Sequence, residues 1–88
     1  MTEKQYQIIA SAGLHARPAS ALVSGVSSFT SDITLEHDGK KVNLKSILGV
    51  MSLGVASGST ITIAAIGEDE AEAIAKVDEI MQSEGLVS

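Results

Sequence analysis

The sequence predicts an α+β fold in which a four-stranded antiparallel sheet carries three helices on one face. The hydrophobic periodicity places the elements in the order β-α-β-β-α-β-α. Asp38-Gly39 is a strong signal for a two-residue hairpin, which favours antiparallel pairing. Of the 88 residues, 44% are hydrophobic, which is enough for one packed core and too few residues for two. We therefore expect residues 1–88 to form a single domain.

The N-terminal part of the chain predicts a strand, a small-residue loop and a helix. Lys4 to Ile9 alternates weakly between polar and apolar residues, as is typical of a strand. Residues 10–14 form the loop, and from Ala16 onward apolar residues recur at helical spacing. The predicted buried stripe of this helix consists of Ala19, Leu22, Val23, Val26 and Phe29.

A β-hairpin is predicted next. Ile33 and Leu35 alternate with polar neighbours in its first strand. Asp38-Gly39 forms the turn, because both residue types tolerate the positive φ angles of a tight hairpin. The returning strand contains Lys40, Val42 and Leu44.

Ser46 then caps a short apolar helix, Ile47 to Leu53. A loop with glycines at 54 and 58 leads into Thr60 to Ile66, where apolar and polar residues alternate most clearly. Gly67 ends that strand.

The last helix is predicted from Glu70 to Glu84, with Gly85 as its C-terminal stop. Asp69 and Glu72 have the spacing of a capping box, and the acidic first turn suits the positive end of a helix. Its predicted buried stripe consists of Ala73, Ile74, Val77, Ile80 and Met81.

Composition excludes several function classes. The net charge of −5, with Arg17 as the single arginine, argues against a nucleic-acid surface. The absence of cysteine excludes disulfides and cysteine-based zinc sites, and no histidine–carboxylate spacing indicates a metal. Thr2 to Gln7 is polar and no apolar stretch is long enough to span a membrane, so we expect a cytoplasmic protein without a cofactor.

The stretch Gly13–Ala19 has the features of a phosphate-carrying site. It places His15 at the start of a helix, where unpaired backbone N–H groups and the helix dipole favour anions. An imidazole with a free ring lone pair can act there as a nucleophile. A phosphoryl group on the ring would be stabilised by the backbone amide of Ala16 and by the guanidinium of Arg17. Because Pro18 has no N–H, the nearest amide donors must precede it.

This stretch, Gly-Leu-His-Ala-Arg-Pro-Ala, together with Leu44–Leu53 (Leu-Lys-Ser-Ile-Leu-Gly-Val-Met-Ser-Leu), resembles HPr, the histidine-containing phosphocarrier family of the bacterial sugar phosphotransferase system, in its Gram-positive type. The resemblance spans essentially the whole chain and implies an open-faced β-sandwich. It implies that His15 accepts a phosphoryl group on Nδ1 from Enzyme I, which draws it from phosphoenolpyruvate. The group then passes to sugar-specific IIA domains, so the chain is a carrier and not an enzyme.

One position departs from the family pattern. Ala12 stands where HPr proteins often have serine or asparagine, whose side chain can reach the phosphohistidine. Ser11 and Ser20 are the two candidates that could replace this missing donor, and the sequence does not choose between them.

Ser46 has two compatible interpretations. Serine is a preferred N-cap, and capping alone would explain its presence. The resemblance adds that Ser46 is phosphorylated by a dedicated kinase/phosphorylase, which would change the charge of the docking face with little change of fold. In the family, the serine-phosphorylated form also engages a catabolite-repression transcription factor.

The short helix after Ser46 has more apolar residues than one buried face can hold. We expect Leu48 and Met51 to remain exposed and to form an apolar patch. In the family, this surface docks Enzyme I and IIA domains, with positive charge from Lys45 and Arg17. The predicted partner-binding residues are Ser20, Lys45, Ile47, Leu48 and Met51.

Two other functions remain as alternatives. An HPr-like regulatory binding module would act only through Ser46 and the apolar patch, and proteins of that sort can lack the histidine. A small hydrolase is disfavoured because no base or second catalytic group accompanies His15. His37, next to the hairpin turn, is not expected to have a site role.

Overall fold

The computed structural model describes residues 1–88 and contains the seven elements in the predicted order. They are β1 (Thr2–Gln7), α1 (Ala16–Val26), β2 (Asp32–His37), β3 (Lys40–Asn43), α2 (Ile47–Ser52), β4 (Thr60–Ile66) and α3 (Glu70–Ser83). The predicted α+β class, with one open antiparallel sheet and three helices, is confirmed.

The sheet has the strand order β1-β4-β2-β3, and every neighbouring pair is antiparallel. The β2–β3 hairpin turns at Asp38 and Gly39, with φ angles of 51° and 77°, as the sequence predicts. The outer strand β1 begins and ends earlier than predicted. Ile8 and Ile9 leave the ladder, and their N–H groups donate instead to Ser59 and Leu86.

The helices cover one face of the sheet. Tyr6 lies opposite Ile61 in the register, Leu35 lies opposite Ile63, and all four are buried. The residues between them, such as Gln5 and Glu36, point to the other face, which no helix covers. Nineteen buried residues form one core cluster between the sheet and the helices.

The predicted helix stripes are largely correct. Ala19, Leu22 and Val26 of α1 are buried, whereas Val23 and Phe29 only pack against the edge of the core. In α3 the predicted stripe is buried except for Ile80, which is partly exposed. Helix α3 packs against α1, β1 and β4, and α2 packs against α1 and β3.

The predicted capping box at the start of α3 is wrong. Asp69 is the N-cap residue, but its side chain makes no capping hydrogen bond, and Glu72 is exposed. The Asp69 carboxylate instead accepts from the Thr30 N–H at 2.8 Å, from the Ser31 N–H at 2.9 Å and from the Ser31 hydroxyl. These hydrogen bonds, led by that of the Ser31 hydroxyl, lower the pKa of Asp69 to about 2.

Glu70 ties the start of α3 to the first strand. Its carboxylate accepts from the Thr2 hydroxyl at 2.7 Å and from the Gly67 N–H at 3.2 Å, and it pairs with the amino group of Met1 at 3.0 Å. The hydrogen bond from Thr2 is the leading cause of a Glu70 pKa of about 2. The acidic first turn of α3 therefore joins separate parts of the chain.

A second contact joins the middle of α3 to β1. The Asp78 carboxylate accepts from the Lys4 ammonium and from the Tyr6 hydroxyl, the latter at 3.3 Å. The Lys4 hydrogen bond is the main cause of a lowered Asp78 pKa. Burial, followed by the nearby Asp78 charge, raises the pKa of Tyr6.

Candidate functional site

His15 is the N-cap residue of α1, and its ring is free of any capping role. Its backbone is extended, with φ −86° and ψ −178°, and its carbonyl accepts from the Ala19 N–H at 3.0 Å. The side chain makes no capping hydrogen bond and is exposed. Its only hydrogen-bond contact joins Nδ1 to the carbonyl oxygen of Gly13 at 3.3 Å. The imidazole is therefore open to solvent.

The first turn of α1 presents backbone donors beside this ring. Because the helix starts at Ala16, the N–H groups of Ala16 and Arg17 have no intrahelical acceptor. Pro18 is the third helical residue and contributes no donor. The turn contains no acidic residue, so the positive end of the helix dipole is not compensated from within the chain.

Arg17 is exposed and takes part in none of the four ion pairs of the structure. It lies with His15 and Pro18 at an open depression of about 350 Å³. Helix α3 supplies the other wall, through Ser83 and Glu84. An anion in this depression would meet the guanidinium and the free amides of the first turn.

The sequence analysis missed Ser83 and Glu84. They stand at the C-terminal end of α3 and reach the start of α1 because these two helices pack together. No local pattern around these two residues marks them as neighbours of His15. The predicted amphipathic faces of both helices were the only signal that could have brought them together.

The surroundings of Ala12 offer no fixed replacement for the missing side-chain donor. Ala12, Ser11 and Ser20 are all exposed. The hydroxyls of both serines have no hydrogen-bond partner within the chain, and neither residue lines the depression beside Arg17. The choice between Ser11 and Ser20 therefore stays a prediction.

The turn that carries His15 rests on the loop after α2, residues 54–59, called here the 54–59 loop. The Leu14 N–H donates to the Val55 carbonyl at 2.9 Å, and the Gly58 N–H donates to the Ile8 carbonyl at 2.7 Å. Leu14 and Val55 are both buried in the common core. The C-terminal side of α2 and the His15 turn are thus brought together.

Ser46 caps α2, as predicted. Its Oγ accepts from the Gly49 N–H at 3.1 Å, and its carbonyl accepts from the Val50 N–H at 3.0 Å. The residue is only partly buried. Its hydroxyl therefore combines a structural role with access from solvent.

Lys45 has an internal partner that the sequence did not indicate. Its ammonium donates to the carbonyl oxygen of Phe29, just after α1, at 2.7 Å. Its backbone N–H donates to the Asn43 side chain at 2.9 Å. Of the two positive charges expected on this surface, the one on Arg17 is unengaged and the one on Lys45 is tied to the fold.

Helix α2 exposes apolar side chains, as predicted. The exposed fractions are 81% for Leu48, 39% for Met51 and 36% for Ile47, whereas Val50 is buried. We call Ile47, Leu48 and Met51 the apolar patch. Exposed apolar side chains grouped on one short helix are typical of a surface that binds another protein.

No group of His, Cys, Asp and Glu side chains is arranged to hold a metal ion. None of the three helices is long and apolar enough to cross a bilayer.

Comparison with known proteins gives consistent matches. Residues 2–83 match the family model described as the HPr component phosphorylation site of the phosphotransferase system. The histidine-containing phosphocarrier protein of a Mycoplasma is 39% identical, with 99% of both chains covered and a TM-score of 0.97. The phosphocarrier protein HPr of Bacillus anthracis is 43% identical over 90% of this chain and 94% of its own, with a TM-score of 0.82.

A third similar structure is the catabolite repression protein Crh of Bacillus subtilis. It is 48% identical over 96% of this chain and 97% of its own, with a TM-score of 0.73. Its structure is described as a domain-swapped dimer.

Proposed function

Because the chain belongs to the HPr family of the phosphotransferase system, we propose that it carries a phosphoryl group on His15. Proteins of this family are phosphocarriers and not enzymes, and they interact with phosphotransferase components such as Enzyme I and IIA domains. In the proposal, Enzyme I delivers a phosphoryl group that originates in phosphoenolpyruvate, and a IIA domain of a sugar permease receives it. Residues 1–88 act as one phosphocarrier domain in the cytoplasm.

The observation that carries this proposal is the open start of α1. The His15 ring caps nothing, the amides of Ala16 and Arg17 have no intrahelical acceptor, and the Arg17 guanidinium has no carboxylate partner. A new phosphate dianion on the ring would supply the negative charge that this helix start lacks.

The chemistry requires little beyond this arrangement. The ring nitrogen attacks phosphorus with its lone pair, and the bond from phosphorus to the donor breaks as the N–P bond forms. Positioning and charge stabilisation dominate phosphoryl transfer, and no general base is needed once the attacking nitrogen is unprotonated. The amides of Ala16 and Arg17 and the guanidinium provide the stabilisation.

Labelling with phosphoenolpyruvate and Enzyme I tests the acceptor. We expect one acid-labile phosphate per chain, which disappears in His15→Ala. The matched control is His37→Ala, because the chain has only two histidines and His37 lies beside the hairpin turn. Labelling of His15→Ala at the original stoichiometry would show that another residue is the acceptor.

We also propose that Ser46 is a regulatory phosphorylation site. The partial exposure of Ser46 and the single hydrogen bond from the Gly49 N–H to its Oγ support this proposal. A phosphate would keep an acceptor oxygen for that N–H and add negative charge beside the apolar patch, so the docking surface changes while α2 persists. The phosphorylated form is proposed to bind a catabolite-repression transcription factor.

The kinase/phosphorylase reaction with ATP tests this second site. Ser46→Ala should take up no phosphate, and Ser52→Ala, at the other end of α2, should be phosphorylated like the wild type. Equal labelling of both variants would remove Ser46 from the proposal.

The docking surface is proposed to consist of the apolar patch with Ser20, Lys45 and Arg17. The exposure of Leu48 and Met51 and the free charge of Arg17 support it. Lys45 contributes mainly by fixing the end of α1 against the start of α2, through its bond to Phe29.

A regulatory binding module that acts only through Ser46 and the apolar patch is the second candidate. The 48% identity with Crh, named for catabolite repression, favours it. The Enzyme I experiment separates the two functions, because such a module would not be labelled at His15.

A further inference from the structure

We propose that Gly13 is a positioning residue for the acceptor histidine, because it fixes the His15 turn against the 54–59 loop and aims its carbonyl at Nδ1. In the resting protein the His15 proton then resides on Nδ1, and the nitrogen that would accept phosphate is held in an unreactive form. The role in phosphoryl transfer rests on the proposed function, whereas the orientation of the ring does not.

The position of Gly13 admits no larger residue. Its φ of +67° lies in the left-handed region, which L side chains rarely adopt. A Cβ at this position would lie 2.4 Å from the Val55 carbonyl oxygen and 2.9 Å from the Ala56 Cα. Both are backbone atoms, so they cannot move aside as a side chain can. The next residue, Leu14, donates to the same Val55 carbonyl at 2.9 Å.

The carbonyl of Gly13 determines the protonation of the ring. It lies 3.3 Å from His15 Nδ1, and a carbonyl oxygen can only accept a hydrogen bond. A neutral imidazole has one N–H, so Nδ1 carries the proton in this contact and the lone pair resides on Nε2. No other group in the chain hydrogen-bonds the ring, so Gly13 alone sets this preference.

This arrangement adds a step before phosphoryl transfer to Nδ1. The hydrogen bond to Gly13 must break, Nδ1 releases its proton to water, and Nε2 takes up a proton from water. The number of bound protons does not change, and the Nδ1 lone pair becomes available. Transfer then forms the Nδ1–P bond as the bond to the donor breaks. Arrival of the donor is therefore coupled to rotation of the ring away from Gly13.

The test is nitrogen NMR of the ¹⁵N-labelled protein at a pH where the imidazole is neutral. In the wild type, the His15 Nδ1 resonance should be that of a proton-bearing nitrogen. In Gly13→Ala, the methyl group displaces the turn, and the ratio of the Nδ1–H to the Nε2–H tautomer should fall by about threefold to tenfold, the value of one neutral hydrogen bond.

The matched control is Gly54→Ala. Gly54 has a similar φ of +59°, but a Cβ there would meet nothing within 4 Å. This variant carries the same type of backbone strain without the collision, so its tautomer ratio should equal that of the wild type. Amide spectra establish that each variant is folded.

Three results would overturn the proposal. These are a wild-type His15 with its proton mainly on Nε2, a folded Gly13→Ala with an unchanged ratio, and an equal shift in Gly54→Ala. If Gly13→Ala does not fold, the wild-type spectrum still decides which nitrogen bears the proton. Labelling by Enzyme I is scored separately, so failure of this inference is distinguishable from failure of the phosphocarrier proposal.

Discussion

Helices α1 and α3 begin in opposite ways. The first turn of α3 contains Glu70 and Glu72, and Asp69 precedes it, so its positive end is supplied with negative charge by the chain itself. The first turn of α1 contains no acid and instead carries Arg17, a charge that the helix dipole disfavours there. One start is compensated from within, and the other has a place for an anion from outside.

The two starts also differ in what their side chains hold. Asp69 and Glu70 each accept from distant segments and so tie the fold together. His15 contacts only a carbonyl two residues away. A helix start that is built into the structure is unavailable for function, whereas the start of α1 has free groups because the fold does not need them. Four experiments test this comparison.

The largest effect is expected where the open start is closed. His15→Asp should abolish labelling by Enzyme I and yet raise the free energy of unfolding by about 1 kcal/mol, because aspartate is a good N-cap. The carboxylate would accept from the Arg17 N–H, since Pro18 has none. Thermal unfolding and labelling measure the two effects. His15→Ala is the control, since it removes the ring without adding a cap. A less stable His15→Asp would mean that the start of α1 does not favour an anion.

At the start of α3 the same kind of group should be indispensable to the fold. Asp69→Asn should lower the unfolding temperature at near-neutral pH, because the buried Ser31 loses a charged acceptor for its N–H and hydroxyl. Glu72→Gln is the control, since Glu72 is exposed and makes no side-chain hydrogen bond.

Acid sharpens this second experiment. The pKa values of Asp69 and Glu70 are lowered from 3.8 and 4.5 to about 2, so their stabilisation is present above the unfolded values. It is lost as the pH falls toward about 2. The unfolding temperature of the wild type should therefore decline over this range, and that of Asp69→Asn should decline less. Parallel curves would contradict the assignment of this stability to Asp69.

Helix α2 is intermediate, because a neutral hydroxyl caps it. Ser46→Ala should cost about 1 kcal/mol and lower the unfolding temperature by about 4–8 °C, since the Gly49 N–H loses its acceptor. Ser52→Ala removes a hydroxyl that only donates back to the Gly49 carbonyl, and it should change stability by less than about 0.5 kcal/mol. Equal losses would show that the cap contributes nothing.

The smallest effect on stability is expected at the apolar patch. Leu48→Ala should change the free energy of unfolding by less than about 0.5 kcal/mol, because the side chain is largely exposed. It should nevertheless raise the KM of Enzyme I for this protein. Val50→Ala, on the buried side of the same helix, should cost roughly 1–3 kcal/mol and leave KM unchanged. An unchanged KM in Leu48→Ala would remove it from the docking surface.

The sequence predicted those features that depend on neighbouring residues. Element order follows from hydrophobic periodicity, the hairpin from Asp38-Gly39, and the cap of α2 from Ser46. The exposure of Leu48 and Met51 followed from counting more apolar residues than a short helix can bury.

The features that the sequence did not predict depend on contacts between distant segments. Asp69 has the local spacing of a capping box, but the loop at Thr30 and Ser31, 39 and 38 residues away, offers three donors to its carboxylate. Glu84 reaches the depression beside His15 only through helix packing. Local patterns give the residue types at a site, and tertiary packing decides which of them meet.

The strand order has a consequence for synthesis on the ribosome. The central strand β4 pairs with both β1 and β2, yet it is the last strand to be translated. Until residue 66 has left the exit tunnel, β1 has no partner and the hairpin of β2 and β3 is the only β pairing that can form. The nascent chain must therefore keep its acceptor histidine on an unfinished scaffold, and the carrier becomes competent only near the end of translation.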